Sequence, residues 1–128
     1  MKSPTQLPAE LPALYERTVL HCLLQIARSQ DELTWEPFLQ GVDIHRLHGD
    51  GVSGPSAALI RFREDAIIPR HYHPGYEYIL VLAGRQRDQN GPLSGGAVAV
   101  NPPGSEHVVH GEAGCIVLAI YQDAVIFR

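Results

Sequence analysis

The sequence of 128 residues contains no run of about twenty apolar side chains, the length a membrane-spanning helix needs. It also lacks a basic surplus: 10 Lys and Arg stand against 14 Asp and Glu, a formal net charge of −4. The basic residues are scattered rather than clustered, so the electrostatic footprint of a DNA- or RNA-binding protein is missing and no nucleic-acid partner is expected. The opening Met1-Lys2-Ser3-Pro4 leads into Pro-studded polar sequence and not a signal peptide, so the expected location is cytoplasmic and no membrane partner is expected. Only two cysteines occur, Cys22 and Cys115, far apart and without C-x-x-C spacing. They read as reduced, small, buried hydrophobes. None of Ser53, Ser56, Ser94 and Ser105 has a His and Asp arrangement nearby that would make it a nucleophile. Charged residues amount to only 19% and apolar residues to 45%, which excludes disorder and predicts one folded domain.

What the chain does have is turn residues and histidine: 12 Gly, 10 Pro and 7 His. Pro4, Pro8 and Pro12 predict an extended arm over residues 1 to 12. From Ala13 to about Leu33 neither Pro nor Gly occurs. Leu11, Tyr15, Val19, Cys22 and Ile26 recur there at helical spacing, with further leucines widening the apolar sector. The reading is one helix, covering an open end of the domain or touching another subunit. From Thr34 onward short apolar or alternating runs predict strands: Val42 to Leu47, Ala57 to Phe62, Tyr78 to Leu82, Ala97 to Val100, Cys115 to Tyr121 and Val125 to Phe127. Turn clusters such as Gly49-Asp50-Gly51, Asn90-Gly91-Pro92 and Pro102-Pro103-Gly104 separate them. The division is therefore an arm and helix over residues 1–33 and an all-β sandwich or barrel over residues 34–128.

The informative stretch is Arg70-His71-Tyr72-His73-Pro74-Gly75-Tyr76-Glu77. Strand side chains alternate between faces, so His71 and His73 point one way and Tyr72 the other. The Pro74-Gly75 turn lets the chain bend, and a hairpin-like return would bring the Glu77 carboxylate beside the two imidazoles. A third imidazole, His107, follows the tight turn Pro102-Pro103-Gly104. Three neutral imidazoles and one carboxylate suit Fe, Mn, Ni, Cu, Co or Zn, and leave two positions of an octahedron for water, substrate or dioxygen. A single H-x-H pair, taken alone, reads equally as half-exposed strand residues with Glu77 a solvated charge.

The spacing resolves that choice through a resemblance. His71-x-His73-x-x-x-Glu77, six residues and Gly84 resemble the first motif of the cupin superfamily. Gly96, five residues and Pro102-x-Gly104-x-x-His107 resemble the second. The wider context, including Trp35-Glu36-Pro37, Ala57-Ala58-Leu59-Ile60-Arg61 and Glu112-Ala113-Gly114-Cys115, is similar to the cupin domain of ChrR-type anti-sigma factors, from about Trp35 to the carboxyl terminus. The resemblance implies a small cupin-type jelly-roll β-barrel enclosing a divalent transition metal at His71, His73, Glu77 and His107. Two motif positions depart from the pattern: Asp65 stands where Gly is usual, and Gly111 where Asn is usual. ChrR-type factors carry a zinc-binding anti-sigma domain ahead of the cupin. Residues 1–33 are too short for it and lack its His and Cys pattern, so sigma binding is not carried over.

Other polar residues rank below these. Arg61 and Arg63 share a strand face; an inward Arg61 would suit an anionic substrate. Tyr76, in the turn beside the ligands, is a second pocket candidate. His45, His48 and His110 fail the parity test for ligands and read as surface residues, and His21 as a helix or interface residue. Three functions stay open: a catalytic metal acting on a small-molecule substrate with dioxygen, a metal- or ligand-sensing regulator that binds a protein partner, and a metal that only stabilises the barrel. Apolar faces left over after closing a small barrel, together with the helix, lead to an expected homodimer.

Overall fold

A computed structural model describes residues 17–128. The arm expected over residues 1 to 12, and the first positions of the expected helix, lie outside the described residues. Among the described residues, regular helix begins at Leu23: a 3-10 turn (Leu23–Gln25), the α-helical turn α1 (Ile26–Ser29) and a second 3-10 turn (Gln30–Glu32). Residues 17–22 are irregular, and Cys22 has φ 55°, a left-handed conformation that no continuous helix allows. Helical propensity yields here to packing. Leu20 before the break and Leu23 after it both join Ile26, Leu59 and Ile116 in one apolar cluster. The same break leaves Cys22 exposed, against its expected burial, whereas Cys115 is buried as expected.

The rest is β-structure: β1 (Glu36–Leu39), β2 (Val42–His48), β3 (Ser56–Phe62), β4 (Ala66–Tyr72), β5 (Glu77–Ala83), β6 (Arg85–Asp88), β7 (Gly91–Ser94), β8 (Val98–Asn101), β9 (Glu106–Gly111), β10 (Ile116–Tyr121) and β11 (Ile126–Phe127). They form a six-stranded sheet in the order β1-β2-β3-β10-β5-β8 and a five-stranded sheet in the order β11-β4-β9-β6-β7. Every pairing is antiparallel. This is a cupin-type jelly roll whose two sheets face each other without a continuous ladder closing them into a barrel. Among the described residues no helix is long and apolar enough to cross a membrane.

Between the sheets lie Val42, Ile44, Ala58, Ile60, Phe62, Ile68, Ile79, Val81, Val109, Val117 and Ala119. Burying a side chain as large as Phe62 contributes roughly 2–3 kcal/mol. The two departures from the expected motif pattern have local causes. Gly111 lies against the Phe62 ring, and any side chain there would run into it. Asp65 accepts the Ala113 amide at 2.9 Å, tying the turn before β4 to the one after β9. Gly84, between β5 and β6, has φ 69°, and a Cβ would sit 2.7 Å from the Cys115 backbone, so glycine is required twice over.

The helical turns cover the outer face of the six-stranded sheet, where Leu82, Leu118 and Trp35 extend the cluster of Ile26, Leu59 and Ile116. Three connections at one end cross between the sheets, β4 to β5, β8 to β9 and β10 to β11, and the first two build the site. Those two are stitched together, with the His73 amide donating to the Ser105 carbonyl and the Gly104 amide to the His73 carbonyl, each at 2.9 Å.

Candidate metal centre

Those crossings assemble the site. His71, in β4, pairs directly with His107, in β9. His73 follows in the first crossing, and Glu77 opens β5 on the opposite sheet. The carboxylate therefore reaches the imidazoles by facing them across the interior, not by the hairpin return the sequence suggested, because β4 and β5 belong to different sheets. All four side chains are buried: His71 at 4%, His73 at 1%, Glu77 at 3% and His107 at 5% relative exposure.

The hydrogen bonds fix the tautomers. His71 Nδ1 lies 2.8 Å from the Pro69 carbonyl, and His107 Nδ1 lies 2.8 Å from the Asp88 carboxylate. His73 Nδ1 lies 3.1 Å from the Ser105 carbonyl and 3.0 Å from its hydroxyl. Carbonyls and carboxylates only accept, so each Nδ1 carries the proton and each neutral ring turns a bare Nε2 lone pair inward. His71 Nε2 and His107 Nε2 then stand 3.0 Å apart with no proton between them. His73 Nε2 is a buried polar atom without a hydrogen bond, 3.1 Å from Glu77 Oε1 but not aligned to bond it. Lone pairs and a carboxylate packed this closely repel one another unless a cation lies among them.

The spacing fits such a cation. With metal–ligand bonds of about 2.1 Å, adjacent ligands of an octahedron lie about 3.0 Å apart and those of a tetrahedron about 3.4 Å. The observed 3.0 and 3.1 Å fall in the range that donors sharing one ion would take. The ligand atoms of His71, His73 and His107 all lie within 4.8 Å of one another, so these three histidines could hold a metal ion. Burial, aided by neighbouring His107, holds the His71 imidazole below its ordinary 6.5. For Glu77, burial favours the protonated acid, and the hydrogen bond donated by Asn101 works against it in favour of the carboxylate.

Glu77 sits in a row that strand alternation alone could not reveal. In the register across β10, β5 and β8, Tyr121 pairs with Glu77 and Glu77 with Asn101. Asn101 Nδ2 donates to Glu77 Oε1 at 2.9 Å. Burial, and the carboxylate of Glu77 opposite, push the Tyr121 hydroxyl well above its ordinary pKa, so it keeps its proton. Tyr121, Asn101, Asp88 and Ser105 are the site residues that sequence reasoning missed. Their only early signal was position, Asn101 and Ser105 bracketing the Pro102-Pro103-Gly104 turn.

Two expected pocket residues are elsewhere. Arg61 alternates with Ala58, Ile60 and Phe62, which face the interior, and so projects outward. There its guanidinium lies 4.4 Å above the Trp35 ring and 3.0 Å from Asp43. Tyr76 is exposed and stacks on Tyr78, with ring centroids 6.2 Å apart. His45 bonds the Thr34 carbonyl at 2.7 Å, and His110 lines a shallow outer hollow with Asp65 and Arg87. His48 and His21 are exposed, His21 ahead of the helical turns rather than within them.

A small hollow of about 30 Å³ adjoins His71, Glu77 and His107. Phe38, Tyr121, Val125 and Phe127 also line a larger cavity of about 170 Å³, so the two lie side by side with these side chains between them.

Comparison with known proteins bears on this arrangement. The ChrR cupin-like domain family matches residues 25–124. No curated protein matches. Among solved structures, the chain is similar to one from the Rhodobacter sphaeroides complex of SigE with the anti-sigma ChrR: 28% identity, TM-score 0.64, 75% of this chain and 53% of that one. It thus spans about half the length of that relative. An acetylacetone dioxygenase from Acinetobacter johnsonii shares 13% identity at TM-score 0.65, over 73% of this chain and 70% of that one. A putative acetylacetone dioxygenase from Methylibium petroleiphilum shares 12% at TM-score 0.71, over 96% and 85%. At such identities these two establish the fold alone.

Proposed function

The chain belongs to the ChrR cupin-like domain family, and we propose that it holds one divalent transition metal at His71, His73, Glu77 and His107 and acts on a small molecule, with dioxygen as co-substrate. The observation that carries this reading is the convergence of three unprotonated Nε2 atoms and a carboxylate beside a buried hollow that borders an outer cavity. A metal bound there would polarise an oxygen-donor group and offer open positions to a second ligand.

The protein's own contributions follow from the geometry. Asn101 fixes the carboxylate that completes the donor set. Asp88, Pro69 and Ser105 hold the three rings in the tautomer that presents Nε2. Ile60, Ile68, Ile79, Val109 and Val117 exclude water from the inner side. Tyr121 keeps a proton at the junction of hollow and cavity, where it can donate to a bound oxygen. Residues 34–128 are the unit we assign to this work, and a homodimer is part of the reading, checked by light scattering on the same preparation.

The test is elemental analysis of untagged protein purified without added metal, then oxygen uptake after Fe(II) loading with a panel of diketones and catechols. About one transition metal per chain and substrate-dependent oxygen consumption are the expected results. Absence of metal even after reconstitution overturns the site.

A second reading is a metal- or ligand-state sensor that binds a protein partner. It is favoured by an exposed apolar row on the outer face of the six-stranded sheet, Tyr78, Val98, Val100 and Ile120, and by the similarity to the chain from the SigE–ChrR complex. Stoichiometric metal without turnover is the result it expects.

A further inference from the structure

The cavity at the mouth of the interior is walled by Phe38, Ile44, Ala58, Val125 and Phe127, with Arg46 at its rim. Arg61, Arg63, Arg70 and Arg128 each reach a carboxylate oxygen within 4.0 Å. Among the described residues, Arg46 has no such partner, although it is the arginine that lines this cavity. The nearby Asp50 carboxylate accepts the amides of Val52 and Ser53 instead, at 2.8 and 3.2 Å. Gly51, at φ 73°, lets the backbone close on the guanidinium: a Cβ there would stand 2.6 Å from Arg46 Nη1. The loop between β2 and β3 thereby limits where the side chain can swing.

A guanidinium with spare donors beside apolar walls is a receptor for a planar anion. The net charge of −4 gives no general attraction for anions, so recognition must come from this local group. The volume of about 170 Å³ falls below the range for drug-sized ligands and selects a small molecule. Tyr121 lines both this cavity and the hollow beside Glu77, so it stands between a molecule seated on Arg46 and the histidines.

We propose that the substrate is a small organic carboxylate, its charged end on Arg46, its chain against Phe38, Val125 and Phe127, and an oxygen-bearing end beside Tyr121 at the metal. This rests on the metal-dependent reading for the orientation of the ligand, but not for the anion site itself. The test uses 4-oxopentanoate and its neutral methyl ester as probes, titrated calorimetrically into metal-loaded and metal-free protein, with metal content measured for each sample. The acid should bind about 10-fold more tightly than the ester in both forms, and the preference should shrink with added salt. Arg46→Gln should bring the acid down to the ester's affinity with metal content unchanged, and Arg46→Lys should keep part of the preference. Equal affinities in the wild-type protein, binding of neither probe, or a preference that survives Arg46→Gln each overturns the anion site. Failure of the protein to take up metal at all, with the preference intact, overturns the metal reading and leaves the anion site standing.

Discussion

Two charged clusters lie on opposite sides of the six-stranded sheet, and they are built on opposite principles. On the outer face every strong group has a partner. Asp43 accepts from Arg61 and Arg63, each at 3.0 Å, Arg61 also bonds Gln30 at 3.2 Å, and its guanidinium lies over Trp35. Donors and acceptors balance, and the cluster is complete as protein. On the inner side the three imidazole donors are spent outward, on Pro69, Asp88 and Ser105, leaving three lone pairs facing one another and a carboxylate that only Asn101 is seen to bond. A buried surplus of acceptors is unstable alone and calls for a cation. The molecule thus carries a structural cluster on β2 and β3 and a candidate binding cluster on β4, β5 and β9, told apart by their hydrogen-bond balance and not by residue type.

The sharpest way to break the comparison is to remove an inner ligand. His73→Ala should lower metal affinity at least about 100-fold, read as metal content after dialysis. Retention of a full equivalent would sink the assignment. Glu77→Gln keeps the shape and the bond to Asn101 but removes charge, so a smaller loss is expected in the same measurement. Next, Asp88→Asn retains the turn around Asn90 while weakening the orientation of His107, for a loss of about 10-fold. An unchanged affinity would show that ring orientation is set by packing alone.

The outer cluster should respond differently. Asp43→Ala strands two arginines and should cost about 2 kcal/mol in urea unfolding while leaving metal content intact. A metal loss comparable to that of the inner variants would erase the distinction between the faces. The mildest test concerns the thiols. Burial pushes Cys115 up to about 12, so at pH 8 only exposed Cys22 should react with a thiol reagent in the native protein, and both after unfolding. Two fast-reacting thiols in the folded state would contradict the tight packing of Cys115 against Gly84.

Much of the centre could be read before any fold was known. Strand alternation placed His71 and His73 on one face, and the resemblance of both motifs to the cupin superfamily singled out Glu77 and His107 as their companions. The arginine facing the cavity was not. In β3 both faces are apolar, Ala58, Ile60 and Phe62 inward and Leu59 outward under the helical turns, so hydrophobic pattern could not say which way Arg61 points. The long helix failed for a related reason: its wide apolar sector reflects contact with the outer sheet face on both sides of a break at Cys22, and not a continuous helical stripe.

The sequence by itself marked the candidate ligand residues, the all-β class and the turns that let the chain reverse, because alternation, motif spacing and turn chemistry are each written within short stretches of chain. Tertiary structure decided that Glu77 meets the histidines across two sheets, that Tyr121 and Asn101 flank it, that Arg46 and not Arg61 borders the cavity, and that the imidazoles present Nε2. Those outcomes depend on register and on which strand lies beside which. Register is fixed by burying one face of every strand at once, a condition that no local stretch of sequence contains.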